Sequence, residues 1–188
     1  MIIAISGKSG TGKSFISEQL ATFFNAEVIS FDKISHQTLE DDNIKNQITA
    51  FFGNSILKNN KINRKLLGKI VFNNEEKLNW LNNLCEQKMV KIIDEIMQKN
   101  KNKNFIFDYA LLPKMKYFKI SDYKILIKSS DKIRKSRIIK RDNISEEYFF
   151  VRDKNSIDYK ESDFDLIIEN NNDLNIQKIA NKIKEDLC

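Results

Sequence analysis

The sequence predicts an α/β fold of three layers, in which helices cover both faces of a five-stranded parallel sheet. Five short apolar runs of buried-strand type are separated by segments with helical apolar spacing, and this alternation is typical of strands joined by crossover helices. The chain has 188 residues, of which 41% are hydrophobic, enough for the core of one domain. We therefore expect residues 1–188 to form a single domain.

The first strand, residues 1–5, runs into a glycine-rich turn, residues 7–14, and a helix follows from about Ser17. The turn reads Gly-Lys-Ser-Gly-Thr-Gly-Lys-Ser and matches the P-loop pattern G-x-x-x-x-G-K-[ST]. In this context backbone N–H groups and a helix N-terminus surround a polyphosphate. A chance match in a flexible turn is the alternative, but three of the chain's five glycines lie here. The fold is therefore predicted to be that of a P-loop NTPase, which binds a nucleoside triphosphate.

Each position of the turn has an expected task. Lys13 can reach the β- and γ-phosphates, and the Ser14 hydroxyl can ligate Mg²⁺. The glycines permit the tight path of the turn and the close approach of its backbone to phosphate. The predicted nucleotide-binding residues of this stretch are Gly7, Gly10, Thr11, Gly12, Lys13, Ser14 and Phe15.

The other strands are predicted at residues 27–30, 105–107, 123–127 and 166–168. Helical spacing between the second and third strands marks an insertion of about residues 33–100, with segments at 33–39, 43–52, 64–72 and 75–99 and a polar, turn-like stretch at 53–63. A final helix is predicted at about 174–187. Because ligands bind at the carboxyl ends of parallel strands, we expect Asp32 and Asp108, each just past a strand, in one cleft with the P-loop.

Four of the chain's five arginines fall close together, at Arg134, Arg137, Arg141 and Arg152. The first three are spaced by three and four residues, which places them on one face of a helix predicted over 131–142. A second helix is expected from about Ser145. A mobile lid of about residues 131–155 that brings guanidinium groups over a transferring phosphoryl group is the functional interpretation. A solvated basic helix face is the alternative.

The composition argues against several classes of partner. The net charge is +6, but 27 of the 32 basic residues are lysine, a bias that fits AT-rich coding better than nucleic-acid binding, and no base-stacking motif occurs. No apolar run approaches the ~18 residues of a membrane span, and no secretory signal pattern opens the chain. Cys85 and Cys188 follow no metal spacing, as expected of free thiols in a reducing compartment. We expect a monomeric, cytoplasmic protein that binds neither nucleic acid nor membrane.

Several stretches beyond the P-loop carry a resemblance to a known family, in that family's order and over nearly the full length. They are residues 28–36, 52–72, 107–112, 137–147 and 164–170. The most specific are Phe-Gly-x-x-Ile-Leu followed by Ile-Asn-Arg-x-x-Leu, which includes Arg64, and Phe-Asp-Leu-Ile-Ile-Glu-Asn, which ends at Asn170. In these motifs the chain resembles the dephospho-coenzyme A kinases.

The resemblance implies an enzyme that transfers the γ-phosphoryl group of ATP, with Mg²⁺, to the ribose 3′-hydroxyl of dephospho-CoA. The implied catalytic residues are Lys13, Asp32, Arg137 and Arg141. The implied acceptor-binding residues are Asp32, His36, Arg64 and Asp108, and Asn170 is expected near the adenine of ATP. Alternatives stay open at this point: Asp32 as a helix N-cap, Arg64 in a salt bridge, and Asp108 either acting through water on Mg²⁺ or capping the end of its strand.

The chain departs from the family pattern at a few positions. Ser30 replaces the first acid of an Asp-x-Asp pair, Phe15 replaces a second hydroxyl after the P-loop lysine, and Ser156 falls near an expected glutamine. These departures leave two other functions open. One is a kinase for another small acceptor, of the nucleoside monophosphate type, and the other is a nucleotide-binding module without catalysis.

Overall fold

The computed structural model describes residues 1–171 and 174–188. Its strands, in chain order, are β1 Ile2–Ser6, β2 Ala26–Ser30, β3 Leu57–Lys58, β4 Lys61–Ile62, β5 Asn104–Asp108, β6 Tyr123–Lys128 and β7 Leu166–Glu169. Its α-helices are α1 Lys13–Phe24, α2 Phe31–Thr38, α3 Asp42–Phe52, α4 Arg64–Val71, α5 Glu75–Lys99, α6 Lys116–Lys119, α7 Asp131–Asp142, α8 Glu146–Lys154 and α9 Ile176–Leu187. The chain divides into two compact units, one of residues 1–30 with 102–188 and one of Phe31–Lys101.

The first unit contains the predicted five-stranded parallel sheet, with strand order β2-β5-β1-β6-β7. Its central strands read as continuous apolar runs because helices cover both faces of the sheet. Ile3, Ala4 and Ile5 of β1 are all fully buried. The α/β three-layer prediction is therefore confirmed.

Alternation along β5 explains how both faces are covered. Ile106 packs into a core with Ile16 of α1 and Ile183 of α9. Phe107, the next residue, faces the opposite way, and its ring lies 5.6 Å from that of Tyr117 in α6. Parallel pairing then sets the register of the functional edge: Ile5 of β1 and Ser30 of β2 are both partners of Asp108 in β5.

The second unit is a set of helices around a core of its own. The buried side chains of that core are Leu39, Ile44, Ile48, Ile56, Leu67, Val71 and Cys85. Three of its helices begin at a side-chain cap: Asp41 caps α3, Asn63 caps α4 and Asn74 caps α5. Such caps satisfy N–H groups that the first helical turn leaves without an intrahelical partner.

Three local expectations differ from the structure. Within residues 53–63, which the sequence analysis treats as turn-like, β3 and β4 form an antiparallel hairpin, whose two-residue loop has Asn59 and Asn60 at positive φ. Helix α2 begins at Phe31, so Asp32 lies inside its first turn and the N-cap alternative for Asp32 is wrong. Helix α6 is a short additional helix. In the part of the chain that is described, no helix is both long and apolar enough to cross a membrane.

Candidate active site

The glycine-rich turn connects β1 to α1 at the carboxyl edge of the sheet. Gly12 precedes the helix in a left-handed conformation, with φ of 90°, and supplies no side-chain cap. The first turn of α1 also contains no acidic side chain. The helix N-terminus therefore presents backbone N–H groups and the positive end of its dipole, which together favour an anion.

Hydrogen bonds within the turn converge on one carbonyl. The oxygen of Lys8 accepts from Thr11 Oγ1 at 2.9 Å and from Lys13 Nζ at 3.3 Å. The Thr11 N–H also donates to it, at 3.4 Å. Lys13 is only 8% exposed, so its ammonium group is folded back over the turn rather than extended into solvent.

Asn170, at the end of β7, braces the turn from the other side. Its Nδ2 donates to Thr11 O at 2.8 Å, and its own carbonyl accepts from Ser129 Oγ at 2.7 Å. A methyl group at Gly12 would lie 2.4 Å from Asn170 Nδ2 and would displace that amide, and the φ of 90° disfavours any side chain at this position. The structure thus gives Asn170 a role on the backbone of the turn, and its contact with adenine stays a prediction.

Ser14 and Asp108 bring a hydroxyl and a carboxylate together. Ser14 Oγ donates to Asp108 Oδ2 at 2.6 Å, and Asp108 is only 3% exposed at the end of β5. Both groups are hard oxygen ligands of the kind that Mg²⁺ binds. Among the described residues there is no cluster of three or more acidic, histidine or cysteine side chains that could hold a metal. The Ser14 and Asp108 oxygens fit Mg²⁺, which commonly takes its remaining ligands from substrate phosphates and water.

The two arginines predicted to be catalytic have different surroundings. Arg137 Nη1 lies 3.3 Å from Gly10 O and 3.3 Å from Asn170 O, against the turn itself. Arg141 donates from Nε and Nη2 to Asp142, at 2.7 and 3.0 Å. Arg152 Nη1 donates to the same carboxylate at 2.6 Å. The hydrogen bonds from Arg141, and to a smaller extent from Arg152, hold the pKa of Asp142 below its usual range, although partial burial of the carboxylate acts to raise it.

Arg134 departs from the expectation that it shares an open guanidinium face with Arg137 and Arg141. It is buried, with 2% exposure, and donates to Ser9 O and to the carboxylates of Asp131 and Asp153. The spacing argument is correct about the helix but does not distinguish a buried position from an exposed one.

The remaining predicted residues belong to the second unit, where Asp32 and His36 lie one turn apart on α2 and Arg64 begins α4. Loss of hydration lowers the pKa of His36, the positive charge of Arg64 lowers it further, and Asp32 opposes both. Asp32 and Arg64 are therefore both within electrostatic range of His36. The structure groups the acceptor-binding residues predicted in this unit, and Phe15 and Ser14 are exposed at the start of α1.

Two residues that hold Asn170 and the segment after Asp108 are absent from the predicted site residues. Ser129, just past β6, donates to Asn170 O, and the strand-end argument that selected Asp32 and Asp108 would have found it. Tyr159 donates from its hydroxyl to Ala110 O at 2.8 Å and so holds the segment that follows Asp108. No sequence pattern marks Tyr159, because its partner is a backbone carbonyl 49 residues away.

Comparison with known families gives a match over most of the chain. The family model described as dephospho-CoA kinase matches residues 1–175. Among curated relatives, a dephospho-CoA kinase of Fusobacterium nucleatum is 35% identical over 177 residues, which cover 93% of this chain and 91% of the relative. One from Prochlorococcus marinus is 31% identical over 98% of this chain and 94% of its own length.

Solved structures agree with this match. The dephospho-CoA kinase of Campylobacter jejuni is 30% identical, with a TM-score of 0.66 over 99% of this chain and 96% of that one. A Thermus thermophilus protein superposes with a TM-score of 0.80 over 100% of this chain and 98% of its own, at 19% identity. At that identity the likeness supports the fold alone.

Proposed function

The chain belongs to the dephospho-CoA kinase family, whose members use ATP to convert dephospho-CoA to coenzyme A, and we propose that this chain carries out that transfer on the P-loop of its first unit. The observation that carries the proposal is the intact phosphate-binding turn, with Lys13 folded over it and Ser14 bonded to Asp108. Phosphoryl transfer demands in-line positioning and charge neutralisation, with little covalent work for the protein. The turn supplies groups suited to both tasks.

Lys13, Arg137 and Arg141 are the proposed electrophilic groups. Lys13 holds the β- and γ-phosphates, and the backbone N–H groups of residues 7–14 bind phosphate oxygens together with the α1 N-terminus. Arg137 and Arg141 stabilise the charge on the transferring group. The contact of Arg137 Nη1 with Gly10 O, at 3.3 Å, supports this role, because it keeps the guanidinium beside the turn.

Ser14 and Asp108 are the proposed holders of Mg²⁺. The Ser14 hydroxyl would ligate the ion, and Asp108 would act on it through water, since the two side chains share a 2.6 Å hydrogen bond. When bound, the ion supplies charge neutralisation at the phosphates. Of the roles that the sequence leaves open for Asp108, which are the acceptor, Mg²⁺ through water and the cap of a strand end, the proposal takes the metal.

Asp32, His36 and Arg64 are the proposed acceptor-binding residues of the second unit. Asp32 accepts or orients the proton of the 3′-hydroxyl, which a carboxylate can do when it lies within hydrogen-bonding reach of that group. Arg64 carries a positive charge suited to the anionic phosphates of dephospho-CoA. Asp32 and Arg64 both influence His36 electrostatically, and this supports a shared site.

The finer properties of the protein follow as part of the same proposal. We infer a monomer in the cytoplasm that binds neither nucleic acid nor membrane. The net charge of +6 comes mostly from lysine, and this composition supports the absence of nucleic-acid binding. The finding on membrane-spanning helices is compatible with the absence of membrane binding.

Replacement of Lys13 tests the proposal most economically. We expect Lys13→Ala to lower kcat/KM for ADP release with ATP, Mg²⁺ and dephospho-CoA by about 10²- to 10³-fold, because a charge aimed at the transition state is lost. Lys103→Ala is the matched control, since Lys103 lies in the same unit but makes an exposed ion pair with Glu27. It should behave like the parent protein. Full turnover by Lys13→Ala would overturn the proposed mechanism.

A further inference from the structure

Arg134 forms a buried junction that the proposed chemistry leaves unexplained. Its guanidinium, on α7, donates from Nε to the Ser9 carbonyl of the P-loop at 2.9 Å and from Nη1 to Asp131 at 2.7 Å. From Nη2 it donates to Asp153, which lies on α8. One side chain thus connects the phosphate-binding turn, α7 and α8.

The P-loop also rests directly on α7. A methyl group at Gly10 would lie 2.9 Å from the Arg134 carbonyl and 3.0 Å from the side chain of Ile138. The backbone at Gly10 therefore approaches the helix as closely as a glycine allows. Together with the hydrogen bond from Arg134 to Ser9 O, this contact fixes the Ser9–Gly10 peptide of the turn against α7.

The contacts on the far side of Arg134 come from α8. The ring centroid of Phe149, a buried residue of α8, lies 6.0 Å from the guanidinium carbon. The carboxylate of Asp153 also accepts from Ser156 Oγ at 3.3 Å. A buried guanidinium depends on such partners, because a charge out of water is costly unless it is paired. The position of α8 therefore bears on the position of the Arg134 side chain.

Peptide planarity links this junction to the phosphates. The Ser9 carbonyl and the Gly10 N–H belong to one planar trans peptide unit and point in opposite directions. A donor on α7 that holds Ser9 O therefore turns the Gly10 N–H away from α7. Asn170 acts in the same way two peptides further on, because its bond to Thr11 O orients the Gly12 N–H. Both amides belong to the turn that binds phosphate.

We propose that Arg134 is a positioning residue for nucleotide binding, which couples the docking of α8, through Asp153, to the orientation of the Gly10 N–H. The proposal rests on the proposed function for its catalytic consequence, but its immediate effect is on nucleotide affinity. It predicts that a change in Asp153, which touches no part of the P-loop among the contacts described, weakens nucleotide binding. Acceptor binding by the second unit is unaffected.

The test uses Asp153 rather than Arg134, because a buried arginine is more easily replaced with loss of folding than a side chain that is 21% exposed. We expect Asp153→Asn to weaken ADP and ATP binding, measured by calorimetry with Mg²⁺, by about tenfold, the size of one charge-assisted hydrogen bond. KM for ATP should rise by a similar factor while KM for dephospho-CoA stays unchanged. Asp153→Glu, which keeps the carboxylate, should retain most of the affinity.

Glu146→Gln is the matched control. It removes the Lys135–Glu146 ion pair, of 2.6 Å, which also joins α7 to α8 but contacts no P-loop residue among those described. Nucleotide affinity should be unchanged in Glu146→Gln. Equal losses in Asp153→Asn and Glu146→Gln, or no loss in Asp153→Asn, would overturn the role of Arg134. Because binding is measured without acceptor, a parent protein that bound ATP but made no coenzyme A would contradict only the proposed function.

Discussion

The fold brings the side chains of Ser14 and Asp108 into contact. They are 94 positions apart in sequence, yet their side chains share a 2.6 Å hydrogen bond. Each follows from its own strand: Ser14 lies in the P-loop after β1, and Asp108 ends β5, which pairs with β1 in parallel register. The carboxyl ends of adjacent parallel strands place such residues at one edge of a sheet.

Asp108→Asn should raise the free Mg²⁺ concentration needed for half-maximal turnover by about tenfold, as expected when a charged partner of a metal ligand is lost. Turnover would be measured against Mg²⁺ at fixed ATP. Asp122→Asn is the control, because Asp122 accepts from Ile2 N at 2.7 Å, at the start of β1 and away from the P-loop. An unchanged Mg²⁺ requirement in Asp108→Asn would contradict the metal role of this residue.

The position of a residue can be predicted from the sequence where it follows from a neighbouring strand. The surroundings of a residue cannot be predicted where they depend on another element of the fold. Lys13 lies where the P-loop pattern predicts it, at the start of α1. Asp108 lies where the predicted strand at residues 105–107 places it, at the end of β5. Arg134 and Arg137 have the same helical spacing and residue type, yet only Arg134 is buried, because Asp153 approaches it from α8. No spacing rule within α7 contains that information.

At the scale of elements, α2 carries a charge arrangement with a consequence for stability. Burial and the positive charge of Arg64 lower the pKa of His36 in the folded protein from its ordinary value of 6.5. Below that value the unfolded chain therefore binds more protons than the folded one, and the free energy of unfolding falls as the pH falls. Above it, His36 is neutral in both states and contributes no slope.

His36→Gln should remove this contribution, so that the variant loses less stability than the parent protein between pH 7 and pH 5, a range that spans the ordinary histidine pKa of about 6.5. Urea unfolding at both pH values measures the difference. Arg64→Gln should shrink the slope in part, since it removes the second cause of the lowered pKa. Parallel losses in the parent and His36→Gln would show that His36 is not held neutral by the fold.

The elements themselves divide in the same way. Helix α7 is predicted over its observed bounds, Asp131–Asp142, and the Ser145 start of α8 is confirmed as an N-cap. The β3–β4 hairpin is missed because its loop is Asn59-Asn60, which reads as one more part of a polar stretch. Two-residue hairpin loops need positive φ at both residues. Asparagine tolerates positive φ but occurs in many other conformations, so its presence does not predict the hairpin.

At the scale of the molecule, the parallel sheet is predictable because β1, β5 and β6 must bury both faces and so appear as apolar runs. The sequence predicts one domain with a helical insertion of about residues 33–100, and the second of the two compact units, Phe31–Lys101, spans nearly the same residues. The boundary after Ser30 falls between β2 and α2, where no glycine or proline marks it. The change from strand-type apolar runs to helical apolar spacing is what marks the boundary in the sequence. The acceptor-binding role of the second unit stays a prediction.

In the proposed function, this chain phosphorylates dephospho-CoA at its ribose 3′-hydroxyl. The most direct measurement incubates the protein with ATP and Mg²⁺ and either dephospho-CoA or a panel of nucleoside monophosphates, and identifies the product by mass and by the position of the new phosphate. We predict turnover only with dephospho-CoA, coenzyme A as the product, and a rate about 10²- to 10³-fold lower in Lys13→Ala. Turnover with a nucleoside monophosphate instead, or ATP binding without turnover on any acceptor, would contradict the claim.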